Sequence, residues 1–484
     1  MHKINFSTLE KLYQMHTTLQ SCIGPNARTK LIGNNDTGEV QVGSSSSLLV
    51  DCLLKNTDDE ILKLILSTVK EHIKVHYDFG LHCTLLCTCL VEEGVKINTS
   101  NCLVAECFRC FMRDICYHLD DESHCPIVEK IDINKMKPLI QILISIATSK
   151  PVLLMKKDEA EEFSIAILKG YLKCMSTNAR RVDWPVFHFQ EGCVVKDFML
   201  YDGLLLDLHH YTPDCIKQLF IPMTLPKIKN VIVMNLSLTI EDLVKCIPGK
   251  IPNHKDLESF FNNKIKDFIQ RAVKSEISVL FNQKIIGETF KMYFKKCNIL
   301  VIDRIGMQAM DTLTRITKAK TVSHLDVIIE HYKGLVDEIT VVNVNDKAYI
   351  HIMRTNTPVC SIVVCYTNPA ILLDLKHTCW AAVSTLEKTL RTKKVLRGGQ
   401  FENYFVMYLE KKYCSLRHQE LPCSMGQFQS CLRAFTHCLK FVANCNSSCQ
   451  LENVFDCYDA KLNAFVVAVQ TAALVLGIKY QIKT

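Results

Sequence analysis

The order of helical and strand-forming segments constrains this chain more than any other feature. Apolar residues recur every three or four positions near both ends, which predicts mainly helical structure before residue 146 and after residue 400. Between these ends, short β-branched runs such as 231–234, 277–281 and 299–302 alternate with helical patterns. An α/β unit inserted into a helical unit predicts a nested architecture, in which the two ends of the chain fold together.

Local patterns in the two end regions give more detailed predictions. Ser7 and Glu10 form a capping box, which marks the start of the first helix. The predicted segments are a helix from Ser7 to Gly24, a hairpin around 34–38, helices at 58–76 and 83–93, a hairpin-like pair of strands at 347–353 and 359–365, and a long helix at 371–391.

The composition excludes several classes of protein. The chain has 484 residues, of which 48% are hydrophobic and 22% are charged, so it is unlike disordered, collagen or coiled-coil proteins. Its length predicts two or three domains. The net charge of +7 is small for this length and no run of five basic residues occurs, so we expect no nucleic-acid partner.

The sequence predicts neither a membrane-spanning helix nor a secretory signal. The most apolar stretch, Ala464 to Ile478, has 15 residues, whereas a spanning helix needs about 20. The first residues, MHKINFSTLEKLYQMH, lack the apolar core and the cleavage site of a signal peptide. We therefore expect a cytoplasmic protein that does not insert into membranes.

The 25 cysteines raise the question of disulfides or a metal site. No feature of the sequence implies an oxidising compartment, so we expect buried free thiols. The densest group is Cys102, Cys107, Cys110 and Cys116, whose first spacings resemble those of an iron–sulfur protein. Apolar residues between these cysteines predict one regular helix, which cannot wrap around a cluster, so we expect no metal.

Several short motifs, taken together, resemble those of group II chaperonins, the family of the archaeal thermosome and the eukaryotic CCT complex. GPNARTKL at 24–31 stands where the family has GPKGMDKM, and DFGLHCT at 78–84 stands where it has DGTTTAV. VLRGGQ at 395–400 falls on the VVPGGG turn, and 456–464 resembles the closing helix. The order and spacing of the motifs extend over nearly the whole chain. They are most similar to the divergent branch of chaperonin-like proteins linked to McKusick–Kaufman and Bardet–Biedl syndromes.

This resemblance implies a multi-domain α+β chaperonin fold with a split all-α equatorial domain, a small intermediate domain and an inserted α/β apical domain. The implied boundaries are equatorial at 1–145 and 401–484, intermediate at 146–196 and 366–400, and apical at 197–365.

The chain departs from the family at the residues that serve ATP hydrolysis. Ala27 replaces the second glycine of the phosphate loop, and Ser44–Ser46 replace an Asn-Asp-Gly segment. Ala381 replaces the catalytic aspartate, and an alanine cannot orient a water molecule. We therefore expect no ATPase activity and no required cofactor. Any remaining, degenerate nucleotide site would consist of Gly24, Pro25, Asp78, Gly80, Gly398 and Gly399.

The resemblance favours an interaction protein over an enzyme. It implies a subunit that works with related chaperonin-like subunits and with CCT, that assists assembly of the ciliary BBSome, and that lies at the centrosome or basal body. The alternative is an active ATP-dependent folding subunit. A surface for partners or clients is predicted on the helix at 255–274, where the candidates are Phe260, Phe261, Ile265 and Phe268, although most of such a stripe is expected to pack on its own sheet.

Overall fold

The structure is a computed structural model in which the chain divides into two units. The first unit contains residues 1–168 and 366–484, and the second contains residues 169–365. This division has the nested order that the sequence indicates, whereas the finer equatorial, intermediate and apical boundaries stay a prediction. The residues that the structure describes are 6–24, 27–33, 40–120, 125–133, 135–149, 153, 155–175, 183–191, 198–208, 216, 219, 228–239, 254–366, 368–414, 421–446 and 454–478.

Helices make up most of the first unit. They are α1 (Phe6–Gln20), α2 (Ser46–Asn56), α3 (Glu60–His76), α4 (Gly80–Lys96), α5 (Asn101–Asp120), α6 (Met136–Thr148), α11 (Pro369–Thr392), α12 (Phe401–Cys414), α13 (Met425–Asn446) and α14 (Tyr458–Gly477). Helix α7 (Lys157–Cys174) begins in the first unit and ends in the second.

Helix α2 is absent from the predicted elements, because the serines before it favour loops as well as helix starts. In the structure Ser45 is the N-cap of α2, and its side chain accepts a hydrogen bond from the Leu48 N–H. Asp59 caps α3 in the same way, by accepting from the N–H groups of Ile61 and Leu62. The serine run is therefore a helix start.

The core of the first unit joins the two ends of the chain. Helix α14, near the C-terminus, packs on α3, α4 and α5. Phe465 of α14 and Phe108 of α5 are both fully buried in this core. With 20 residues, α14 is longer than the apolar stretch read from the sequence, and it could span a membrane by length and composition alone. Its most apolar window is 61% buried, as in the core helix of a folded domain.

Two small sheets correct the prediction of an all-α equatorial domain. Strands β1 (Lys30–Gly33) and β2 (Val40–Gly43) form an antiparallel pair, which confirms the predicted hairpin. Strand β15 (Lys394–Arg397) pairs with β3 (Val128–Lys130) on one side and with β16 (Phe455–Cys457) on the other. Strands β3, β15 and β16 are only three or four residues long, too short for alternation of apolar residues to reveal them.

The second unit contains an α/β layer, as predicted. Its parallel strands β7 (Lys229–Met234), β8 (Ile277–Asn282), β9 (Leu300–Ile302) and β10 (Thr321–Val322) are joined by an antiparallel strand, β11 (Gly334–Val336). Helices α8 (His254–Lys274), α9 (Glu288–Lys296) and α10 (Met307–Thr317) alternate with the strands. Two core clusters, one on each side of this sheet, bury alternate residues of β7.

Two three-stranded sheets complete the second unit and correct the predicted hairpin-like pair. One contains β6 (Leu204–Leu206), β12 (Glu338–Val344) and β13 (Lys347–Met353), and the other contains β4 (Val186–Glu191), β5 (Phe198–Asp202) and β14 (Cys360–Tyr366). The predicted strands exist as β13 and β14, but they belong to different sheets. Strand β13 forms a hairpin with β12 and also pairs with the distant β6, whereas β14 pairs with the distant strands β4 and β5. Local patterns cannot reveal the distant pairings.

Most of the described cysteines are buried, as predicted, and none of them forms a disulfide. Cys102, Cys107, Cys110 and Cys116 all lie on α5, which confirms the prediction of a single helix. Cys102 is exposed whereas Cys107 is buried, so these thiols do not converge. No group of three or more metal-binding side chains occurs in the described ranges. Metal content itself stays a prediction.

Candidate functional site

The loop after α1 is held by hydrogen bonds between its own backbone groups. Gly24 has a φ of +86°, which suits glycine. The Ala27 N–H donates to the Gly24 carbonyl at 3.0 Å, and the Arg28 N–H donates to the Ser21 carbonyl at 2.8 Å. These two N–H groups are therefore already hydrogen bonded within the loop. Pro25, the second predicted residue of this loop, lies outside the described residues.

The first turn of α4 is packed from two sides. Gly80 is buried, and a Cβ built on it would lie 2.5 Å from Ile73 Cδ1 and 2.8 Å from Ser46 Cβ. The preceding Phe79 adopts the left-handed conformation (φ 57°, ψ 13°), where the resembling motif has glycine. Asp78 Oδ1 accepts a hydrogen bond of 2.9 Å from the Phe79 N–H. The start of α4 is therefore packed against side chains of this chain, with no open space beside Gly80.

Helix α11 carries Ala381 and a carboxylate that the sequence analysis did not assign to the site. Ala381 is 1% exposed, and Asp374, two turns earlier, is fully buried. Asp374 Oδ2 accepts from the Ser44 N–H at 2.8 Å, and its Oδ1 accepts from the Ser45 N–H at 3.3 Å. A Cβ at Gly43 would lie 3.2 Å from Asp374 Oδ1. Asp374 therefore ties α11 to the N-terminus of α2, where a negative charge is stabilising.

Three side chains form a buried ionic cluster, which we define as His82, Glu402 and Lys461. Glu402 Oε1 lies 2.6 Å from His82 Nε2 and 2.6 Å from Lys461 Nζ. The side chains of His82, Glu402 and Lys461 are 5%, 0% and 2% exposed. Lys461 Nζ also lies 5.2 Å from the centroid of the Phe79 ring, which adds a cation–π contact.

Electrostatics within the cluster favour an ionised carboxylate. Burial alone would raise the pKa of Glu402, but Lys461 and His82 outweigh it and hold this pKa well below its ordinary value. Burial lowers the pKa of His82, and the charge of Lys461 lowers it further. The cluster is therefore a Glu402 carboxylate paired with the Lys461 ammonium, to which a neutral His82 donates a hydrogen bond.

The turn after β15, which we call the glycine turn, contains Gly398 and Gly399 and is hydrogen bonded to the segment that precedes α14. The Gly398 N–H donates to the Val454 carbonyl at 2.8 Å, and a Cβ at Gly398 would lie 2.6 Å from Val454 Cγ1. Gly399 has a φ of +69°, and its N–H donates to the Asp456 carboxylate. Burial raises the pKa of Asp456 to about 6, although Lys461 opposes this shift.

Two histidines of α3, His72 and His76, lie near the start of α4 and near α14. His72 Nε2 lies 2.9 Å from the Asp78 carbonyl oxygen, and His72 Nδ1 lies 2.8 Å from Asn463 Oδ1. The ring of His72 stacks on His76 with centroids 4.7 Å apart. Burial, with the nearby charge of Lys388, lowers the pKa of His76 to about 3, so this histidine is neutral at physiological pH.

Comparison with known proteins gives the family of this chain. The pattern of the TCP-1/cpn60 chaperonin family matches residues 15–448. The chain belongs to this family. It is 24% identical to the molecular chaperone MKKS of Mus musculus over 88% of this chain and 75% of that protein. It is also 24% identical to human MKKS over 87% of this chain and 74% of that protein.

Archaeal chaperonin subunits are similar over shorter spans. The thermosome subunit beta of Methanothermobacter thermautotrophicus is 20% identical over 43% of this chain and 38% of its own length. The thermosome subunit alpha of Thermoplasma acidophilum is 23% identical over 52% of this chain and 45% of its own length. Together with the MKKS relatives, these similarities make the chain a divergent, group II chaperonin-like protein of the MKKS type.

The structure brings together part of the predicted nucleotide site of this chaperonin. Asp78 and Gly80 lie at the start of α4. Gly399 is bonded to Asp456, whose pKa is raised in part by the charges of Glu402 and Asp78. A cleft of about 300 Å³ lies beside α2, α3 and α11. None of the described residues predicted to bind nucleotide lines it; its lining is Ser47, Val50, Asp51, Lys70, Ile73, Lys74, Tyr77 and His377.

The sequence analysis missed three charged residues of this region, namely Asp374, Glu402 and Lys461. One signal was present for Lys461, because it is the only lysine or arginine of the apolar helix α14. Burial of a lysine in such a helix requires an acidic partner. The partner itself, Glu402, is 59 residues away in the sequence, so no local spacing identifies it.

The predicted client helix of this chaperonin is α8, and the structure corrects most of its proposed surface. Phe261, Ile265 and Phe268 are buried in the second unit, with 7%, 0% and 0% exposure. Phe260 is 49% exposed, and its ring centroid lies 5.3 Å from Lys264 Nζ. Of the four candidates, Phe260 is therefore the one that a partner can contact.

Proposed function

We propose that this chain is a chaperonin-like subunit that assists the folding or assembly of protein complexes without hydrolysing ATP. One observation carries the proposal. Ala381 is a buried alanine at the position of the family's catalytic acid, and the nearest preceding carboxylate on the same helix, Asp374, is already hydrogen bonded to Ser44 and Ser45. Before Ala381, α11 therefore offers no carboxylate that is available to orient an attacking water. Glu387, the next acid after it, lies near the charges of Lys388 and Arg391.

The surrounding residues do not fit a magnesium-bound nucleotide. Such a group needs open N–H donors at a helix start and carboxylates that are available as metal ligands. At the start of α4, Gly80 is packed against Ile73 and Ser46, and Asp78 accepts from the Phe79 N–H. Removing one well-placed group from such a site typically lowers turnover by about 10²-fold or more. With several groups replaced, ATP hydrolysis would be close to the uncatalysed rate.

The partners belong to the same proposal. Family membership supports assembly with related chaperonin-like subunits and contact with protein clients, and the MKKS relatives are molecular chaperones by name. We extend this to the CCT complex and to the BBSome as the assembly that is served, at the centrosome or basal body. Phe260 on α8 is the proposed contact with a client or partner.

Isolation of the endogenous complex tests the proposed partners. A tagged chain should co-purify with chaperonin-like subunits, CCT subunits and BBSome subunits after gentle lysis, with masses that show a defined assembly. Phe260→Ser should lose a client that Val273→Ser retains, because Val273 lies on the same helix and is 46% exposed. A chain recovered alone, or with unrelated proteins, would contradict the proposal.

A further inference from the structure

Three thiols meet where the two ends of the chain are joined. Cys107 lies on α5 in the N-terminal half, Cys423 precedes α13 in the C-terminal half, and Cys431 lies on α13. The Sγ atoms of Cys107 and Cys423 are 3.6 Å apart. Cys431 lies beside Cys107, close enough for the two thiols to shift each other's pKa in opposite directions. This is a cluster of nucleophilic side chains for which the family's folding function gives no role.

The three thiols differ in access to solvent. Cys107 and Cys431 are fully buried, whereas Cys423 is partly exposed. A soluble oxidant can therefore reach Cys423 first, and Cys107 is the neighbouring thiol in position to react next. Disulfide formation brings two Sγ atoms to about 2.05 Å, so the pair must approach by roughly 1.5 Å, a movement within the reach of side-chain rotation.

We infer that Cys107 and Cys423 form a reversible disulfide, which makes the joint between the two ends of the chain responsive to oxidation by a disulfide such as oxidised glutathione. Burial raises the pKa of Cys423 to about 11, so its thiolate is a minor species at neutral pH and the reaction should become faster as pH rises. In the first step this thiolate attacks glutathione disulfide, which gives a mixed disulfide on Cys423 and releases one glutathione. In the second step the Cys107 sulfur displaces the remaining glutathione and forms the intramolecular bond.

The reaction balances without any further reagent. Two protein S–H bonds and one glutathione S–S bond break, and one protein S–S bond and two glutathione S–H bonds form. Two electrons pass from the protein thiols to the glutathione disulfide. The protons of the two protein thiols end on the two glutathione thiolates that are released.

A second thiol pair in the same unit provides an internal comparison. Cys89 of α4 is hydrogen bonded to Cys438 of α13, so it also links the two halves of the chain. Both residues are buried, with 4% and 0% exposure. Because neither thiol is accessible to glutathione, mild oxidation should leave this pair reduced while it joins Cys107 to Cys423.

The disulfide should stabilise the first unit, because it closes a loop between positions that are 316 residues apart. Constraining the unfolded chain over so long a loop has a large effect in the chain-entropy description. We expect oxidation to raise the melting temperature of the purified chain by about 5 °C or more. Reduction with dithiothreitol should reverse the shift.

The test is titration of the purified full chain with oxidised glutathione, followed by alkylation and peptide mass spectrometry. The expected results are a peptide that joins Cys107 to Cys423, the loss of two free thiols, and the rise in melting temperature. Cys423→Ser and Cys107→Ser should abolish all three. Cys102→Ser should retain them, since Cys102 is an exposed cysteine on the same helix.

Several outcomes would overturn the inference. Glutathione that stays on Cys423 without an intramolecular bond would show that Cys107 does not react. A disulfide between Cys107 and Cys431, or between Cys89 and Cys438, would show that solvent exposure of a thiol does not decide which cysteines become oxidised. If Cys107→Ser fails to fold, Cys423→Ser still decides the question, because its partly exposed side chain tolerates replacement more readily.

Discussion

Two regions of the molecule differ in whether their chemically important side chains already have partners within the chain. In the first unit, the groups around the start of α4 are hydrogen bonded or ion paired with one another, as Glu402 is with Lys461 and His82. In the second unit, α8 buries most of its apolar stripe but leaves Phe260 exposed. The interior site pairs its charges within the chain, although His82 Nδ1 and Glu402 Oε2 have no hydrogen-bond partner among the residues that the structure describes. The helix surface keeps an apolar group available to another molecule.

This difference separates two requirements on side chains. An enzyme site must leave donors and carboxylates unsatisfied until the substrate binds, because those groups act on the substrate. A binding surface needs accessible apolar area, to which a single exposed ring contributes one part. The hydrogen bonds of Asp374 run against the first requirement, and the exposed ring of Phe260 is consistent with the second.

Removal of the buried cation should have the largest effect on stability. Lys461→Met leaves the Glu402 carboxylate buried without its counter-ion, so the free energy of unfolding should fall by about 3–5 kcal/mol. Chemical denaturation followed by circular dichroism measures the loss. Lys440→Met is the matched control, because Lys440 pairs with Glu410 at 2.9 Å on an exposed surface and should matter by less than about 1 kcal/mol. If both substitutions lowered the free energy of unfolding equally, the buried cluster would contribute no more to stability than the exposed Lys440–Glu410 pair.

Adding a methyl group at the start of α4 should have the next largest effect. Gly80→Ala forces a Cβ against Ile73 and Ser46, so it should destabilise the fold by about 1–3 kcal/mol. Gly426→Ala is the control, since a Cβ there meets no atom within 4 Å. Thermal unfolding measures both variants. If Gly80→Ala were as neutral as Gly426→Ala, the helix start would have free space and could accept a ligand.

The glycine turn should make stability depend on pH through Asp456. Its folded pKa is raised to about 6, above the ordinary 3.8, so the folded state binds this proton more tightly than the unfolded state does. Ionisation of Asp456 therefore lowers stability as pH rises from about 4 to about 6. Asp456→Asn should be more stable than the parent by about 1–2 kcal/mol at pH 7.5, and the difference should shrink by pH 5. A difference that does not vary with pH would contradict the assigned titration.

The smallest effect on stability is expected at the exposed residue of α8. Phe260→Ser should change the free energy of unfolding by about 0.5 kcal/mol or less, because the ring is already half in water. Phe268→Ser, at a fully buried position on the same helix, should destabilise by about 3 kcal/mol or more. Similar losses would mean that Phe260 is a core residue and is unavailable to partners.

Much of the fold could be predicted because it rests on local periodicity. The helices α3, α8 and α11 and the strands β7, β8 and β9 follow from apolar spacing within each segment. Helix α2 was missed because Ser45 caps a helix in a run that also suits a loop. The pairings of β13 with β6 and of β14 with β4 and β5 were missed because they join strands distant in the chain.

The sequence indicates which family residues are replaced in this chain, but not which contacts the structure makes around them. Ala381 and Ser45 can be identified from sequence, because motif spacing alone shows where a carboxylate should stand. The bonds from Ser44 and Ser45 to Asp374 span about 330 residues, and Glu402 contacts His82 across 320 residues and Lys461 across 59. Such contacts depend on the tertiary fold, which no spacing rule encodes.

Steady-state release of phosphate from ATP and magnesium by the purified chain tests the central claim most directly. The account predicts a rate that cannot be distinguished from the protein-free blank, and the same rate for Asp78→Ala. Magnesium-dependent turnover by the parent chain that disappears in Asp78→Ala would contradict it, because it would show a working nucleotide site at the start of α4.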